Sequence, residues 1–81
     1  MFTVADLKKE WNMSRERDLE WGGISDFERE LWDEIDQAMK EEYGSDDVLA
    51  FFRTLPLSTS LGPKSAVALA KFQKSMLEFD G

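Results

Sequence analysis

The chain has 81 residues, one domain's worth of sequence with material for a single modest core. It contains no cysteine and no histidine, which excludes disulfide staples, thiolate metal sites and the commonest general base. A formal net charge of −7 argues against direct contact with nucleic acid or anionic lipid, because phosphate contacts need cations. The imbalance is local: residues 1–43 hold 13 acidic and 6 basic side chains, whereas residues 44–81 hold 4 of each. Three Trp, six Phe and one Tyr supply the large buried area that a compact fold needs. A core of this size is marginal on its own, which leaves a homodimer open.

In chain order, Thr3 is placed to cap a first short helix to about Trp11, with Asp6 at capping-box spacing and Leu7 and Trp11 inward. Met13, Leu19 and Trp21 leave the phase of Leu7 and Trp11, so residues 12–21 read as a second short helix capped by Ser14. Gly22 and Gly23 break the chain before the clearest helix, residues 25–44. There Ser25 and Glu28 form a capping-box pattern, and Gly44 stands where a left-handed C-cap belongs. Phe27, Leu31, Ile35, Ala38 and Met39 recur at three- and four-residue intervals as an apolar stripe, widened by Trp32 and Tyr43. The opposite face reads Asp26, Glu30, Asp33, Glu34, Gln37 and Glu41, with Arg29, Asp36 and Lys40 on its flank.

Beyond Gly44, Ser45 reads as the cap of a short helix with Asp46 and Asp47 in its first turn. Val48, Leu49, Phe52 and Leu55 would face inward before Pro56 stops it. The hydroxyl-rich stretch 56–62 lies between two helix breakers, and Pro63 suits the first position of a last helix to about Glu78. Ala66, Leu69, Phe72, Met76 and Phe79 make its stripe, with Lys64, Lys71 and Lys74 outside. No segment alternates with period two. The expected class is therefore all-α, a compact bundle of four to five short helices with the helices near 26–43 and 63–79 as the main packing pair. The expected core is Leu7, Trp11, Phe27, Leu31, Ile35, Met39, Leu49, Phe52, Leu55, Leu69, Phe72 and Met76.

Catalysis has little support. The serines lack an imidazole to activate them, and no carboxylate pair is marked by an apolar setting that would split its pKa values. The acidic residues do not follow the alternating Asp/Asn loop with central glycine of calcium hands, and no cofactor is implied. No apolar run approaches the roughly 20 residues of a membrane span. The N-terminal MFTVADLKKE lacks the basic-then-apolar layout of a secretory leader, so a cytoplasmic protein without a membrane partner is expected.

Two local stretches resemble known families. LGPKSAVALAKF, residues 61–72, resembles the second half of a helix-hairpin-helix DNA-binding motif: Gly62, Pro63 and Lys64 match its Gly-Pro-Lys, and Ala66 and Leu69 its packing positions. Ser60 stands where that family has its first glycine. The resemblance implies that backbone amides at the start of the last helix face a phosphate. DDVLAFFRTLPLSTSL, residues 46–61, is similar to the helix-then-Leu-Pro segment of tail-assembly chaperones from phages of Gram-positive hosts, through Leu49, Phe51, Phe52, Leu55, Pro56 and Ser60.

The acidic face remains. Carboxylates four apart lie about 6 Å apart along a helix, and such like-charge rows destabilise an isolated helix by a few tenths of a kcal/mol each. The same charge also keeps a small apolar-rich domain soluble. Regular rows of carboxylates can compete with a phosphate backbone for Lys and Arg. In size, acidity and lack of catalytic residue types the chain resembles small phage-encoded inhibitors, including anti-CRISPR proteins, many of which block nucleic-acid-binding machines. That likeness implies a non-enzymatic protein in the host cytoplasm whose Asp26, Glu30, Asp33, Glu34, Asp36 and Glu41 meet a basic protein or nucleic-acid-binding complex. The alternative is a phage assembly chaperone that binds through apolar surface around Phe51, Phe52 and Leu57.

Overall fold

A computed structural model describes the backbone of residues 1–80 and the side chains of residues 1–78. Among the described residues there are four helices: α1 (Val4–Trp21), α2 (Asp26–Tyr43), α3 (Val48–Thr54) and α4 (Pro63–Asp80). The all-α class holds, and α2 and α4 form the main packing pair. They run antiparallel, since Glu34 near the middle of α2 meets Lys71 while Glu41 near its end meets Lys64 at the start of α4. Phe79, expected at the end of the α4 stripe, lies outside the described side chains.

The helices are longer than expected, with 18 residues in α1, α2 and α4. The two short N-terminal helices are one. Val4, Leu7, Trp11 and Ser14 follow each other at intervals of three, four and three, so a buried serine continues the inward stripe where an apolar residue was sought. Ser14 is thus an interior residue and no cap. The Asp6 carboxylate accepts the Thr3 backbone N–H at 2.8 Å, as the spacing implied. Gly22, at φ 73°, closes α1 in the left-handed region that glycine adopts without steric cost.

The first turn of α1 is completed from far along the chain. Val4 N–H donates to the Thr59 carbonyl and Ala5 N–H to the Leu57 carbonyl, both at 2.9 Å. Leu61 N–H returns the contact to the Phe2 carbonyl at 2.9 Å, and Thr3 and Ser60 make an isolated antiparallel bridge. The stretch after Pro56 thus satisfies donors that every helix N-terminus leaves open.

The core gathers Val4, Leu7, Leu31, Trp32, Ile35, Met39, Val48, Phe51, Leu61, Leu69, Phe72 and Met76. Compared with expectation, the inward face of α2 is turned away from Phe27, which is exposed, and toward Trp32, which is buried. Trp32 stands edge-on to Trp11 with ring centroids 5.3 Å apart and meets Phe72 at 4.8 Å. In α3 the phase is also rotated. Asp47, not Ser45, is the N-cap and accepts the Leu49 N–H at 2.9 Å, so the helix starts at Val48. Phe51 then points inward, Leu49 points outward, and Phe52, Leu55 and Trp11 are half-buried.

Candidate functional site

Helix α2 is anchored by its caps: Ser25 Oγ accepts the Glu28 N–H at 3.1 Å, and Gly44 N–H donates to the Lys40 carbonyl at 3.0 Å. With its stripe held in the core, its outer face is set by helical periodicity. At about 100° per residue, Asp26, Glu30, Asp33 and Gln37 fall within an arc of about 60°. All four are exposed. Among the described residues no ion pair forms to Asp26, Glu30 or Asp33, so these three make an unneutralised acidic ridge.

The other three expected members behave differently. Glu34 is paired with Lys71 at 2.9 Å and Glu41 with Lys64 at 3.9 Å, because α4 presents its lysines along the same edge. This corrects the expectation that all six carboxylates are left for an external basic partner. Both pairs stay solvent-exposed, where such contacts contribute about 0–1 kcal/mol and exchange readily. Asp36 is half-buried and turned about 80° from Asp26, away from the ridge. Among the described residues its Oδ1 has no hydrogen-bond partner. Burial, followed by the charges of Asp33, Asp47 and Asp46, pushes its pKa up to about 6. Asp36 therefore belongs to the α2–α3 junction and not to an outward docking face. Among the described residues no three acidic side chains converge on a metal-sized site.

The buried polar centre of the molecule lies on the other side of α2. Glu28, 3% exposed, was expected to reach back to the α2 N-terminus. Its side chain instead turns inward, because Ser14 and Arg17 of α1 offer it stronger partners. Ser14 Oγ donates to Glu28 Oε2 at 2.5 Å, and Arg17 reaches both carboxylate oxygens at 2.9–3.3 Å. Trp32 Nε1 donates to Ser14 Oγ at 2.8 Å, which satisfies the buried indole N–H. A cavity of about 500 Å³ opens beside this cluster, lined by Trp21, Ile24 and Met76 among others. The Glu28 carboxylate is saturated by its neighbours and ties α1 to α2. Its signal in the sequence was Ser14 in phase with Leu7 and Trp11.

A second polar contact closes the α4 N-terminus. Glu42, at the end of α2, accepts the Lys64 N–H at 2.9 Å and the Ser65 N–H at 3.1 Å, and the Tyr43 hydroxyl accepts the Gly62 N–H at 2.5 Å. Burial alone would raise the Glu42 pKa. The two backbone donors and the Lys64 charge outweigh it and hold the carboxyl below its usual range. Glycine at 62 leaves room for this cap, since a Cβ there would overlap the Glu42 carboxylate and push it aside. The amides that a helix-hairpin-helix would offer to phosphate are thus taken by an internal carboxylate, and eight residues separate α3 from α4.

The apolar surface expected around Phe51, Phe52 and Leu57 is not assembled. Phe51 is buried with its ring 5.0 Å from that of Tyr43, Phe52 is half-buried and only Leu57 is exposed. No helix among the described residues is long and apolar enough to cross a membrane. The chain matches no family model, no curated protein and no solved structure, so its functional reading rests on this geometry.

Proposed function

We propose that the protein is a non-catalytic binding module whose Asp26–Glu30–Asp33 ridge docks on a basic, nucleic-acid-binding surface of a host protein complex and blocks it by occupancy. The reading is that of a phage-derived inhibitor of the anti-CRISPR-like kind, acting in the host cytoplasm. The observation that carries it is the exposed, unpaired row on a helix whose caps and buried stripe fix its position. Between Asp26 and Glu41 the outward charge of α2 comes from Asp26, Glu30, Asp33, Glu34 and Glu41, set against Arg29 and Lys40, with Glu34 and Glu41 in exposed pairs to α4. Over the roughly 24 Å of helix this is about one net negative charge per 8 Å, against one per 3.4 Å for a single nucleic-acid strand. Attraction of such a row to a concentrated Lys/Arg surface depends strongly on ionic strength.

Affinity capture from host lysate at low and high salt tests this reading, with wild type compared with Asp26→Lys/Glu30→Lys/Asp33→Lys. The expected result is a nucleic-acid-binding protein held by wild type at low salt, released at high salt and lost with the triple variant. Equal capture by both proteins, or capture indifferent to salt, would overturn the proposal.

A further inference from the structure

The groove between α2 and α4 measures about 580 Å³ and differs from the ridge in sign pattern. Its floor is small and apolar, formed by Ala38 and Ala68, while Val67, 70% exposed, stands beyond the lysines on α4. One rim is acidic, with Glu34 and Glu41, and the other is basic, with Lys71 and Lys64. A uniformly basic partner is repelled by the α4 rim, and a uniformly acidic one by the α2 rim. The surface that complements a groove with one rim of each sign is the same groove turned over.

We propose that the chain forms a two-fold symmetric dimer through this groove, with the symmetry axis running along it. Such an axis stacks α2 of one protomer on α4 of the other. Because α2 and α4 are antiparallel, with Glu34 level with Lys71 and Glu41 level with Lys64, the rotation keeps each glutamate level with its counterpart. Glu34 then meets the partner's Lys71, and Glu41 meets the partner's Lys64. Ala38 and Ala68 lie between the two charged rims, and Val67, just outside the α4 lysines, packs on the partner's α2 beside the partner's Gln37, so that apolar contact flanks the alternating charges. Of the ridge, Asp26 and Asp33 lie about 80–100° round the helix from Glu34, and Glu30 about 40° from it, next to the rim. Asp26 and Asp33 remain on the outer edges of the dimer, and the inference does not depend on what the ridge binds.

Sedimentation equilibrium across the micromolar to millimolar range tests the dimer, with circular dichroism confirming that each variant is folded. Wild type is expected to reach twice the 9.4 kDa mass of one chain, and Val67→Glu to stay at the single-chain mass. Two complementary variants decide the geometry: Glu34→Lys/Glu41→Lys makes both rims basic, and Lys64→Glu/Lys71→Glu makes both rims acidic. Each alone is expected to be monomeric, while an equimolar mixture forms a one-to-one heterodimer. A wild type that remains monomeric throughout would overturn the inference. So would a wild-type dimer that survives Val67→Glu, or a mixture of the two charge variants that fails to associate.

Discussion

Replacing Ser14 by Ala removes one oxygen from the centre of the α1–α2 contact and leaves the backbone untouched. The hydroxyl accepts from Trp32 Nε1 at 2.8 Å and from Arg17 at 3.2 Å, and it donates to Glu28 Oε2 at 2.5 Å. Trp32 is 5% exposed, so its indole N–H is stranded from water, at a cost of about 1–3 kcal/mol. Glu28 keeps its contacts to Arg17, which limits the loss on that side to about 1 kcal/mol. The sum, about 2–4 kcal/mol, is set against a total stability of about 4–12 kcal/mol for a domain of this length. Urea unfolding followed by circular dichroism should show that loss with an unchanged slope, and thermal unfolding a fall on the order of 10–20 °C. The partner variant Trp32→Phe deletes the N–H itself. In the double variant the serine deletion should cost about 1–2 kcal/mol less than it does alone. A Ser14→Ala loss below about 0.5 kcal/mol, or strict additivity with Trp32→Phe, would refute the claim that this hydroxyl holds the two helices together.

Other substitutions test the remaining contacts. Gly62→Ala should displace the Glu42 cap and destabilise the fold by about 1–2 kcal/mol, and the same change should cost distinctly less in a Glu42→Ala background, as thermal unfolding of the four proteins will show. Asp36 has its folded pKa raised from 3.8 to about 6, so the native state binds the extra proton and stability falls as pH rises through that window. After allowance for the solvent screening of a half-exposed group, Asp36→Asn should stabilise the protein by about 1 kcal/mol above pH 6. It should also flatten the pH dependence of the urea midpoint between about 4 and 6. Glu42 acts with the opposite sign: its lowered pKa stabilises the fold above the ordinary glutamate value and is lost as pH falls through the folded one. Glu42→Gln should therefore weaken the protein most at neutral pH and least in acid.

The parts of this fold that were legible in the sequence are those governed by near neighbours. Ser25, Gly44 and Pro63 mark helix ends through contacts within one turn, and α2 and α4 begin and end beside them. The ridge follows from period alone once α2 is placed. What could not be read depends on partners distant in sequence. Glu28 satisfies a capping pattern locally, yet its side chain is claimed by Ser14, 14 residues earlier. Glu42 carries no signal of its own, since its donors are 22 and 23 residues away. The phase error in α2 has the same origin. Trp32 is drawn inward by an acceptor on α1 and Phe27 is left outside, whereas the shift in α3 is a local competition between two caps, with Asp47 starting the helix two residues later than Ser45 would.

The tie between residues 2–5 and residues 57–61 bears on the order in which the molecule assembles. The amide protons of Val4 and Ala5 find their acceptors more than fifty residues away, so the opening turn of α1 cannot be completed while the chain is still folding locally. Deuterium uptake at those two amides should be slow and should track global unfolding, unlike the rapid exchange of a frayed helix end. A protein whose first turn is finished by its third quarter senses at one end whether the rest has arrived.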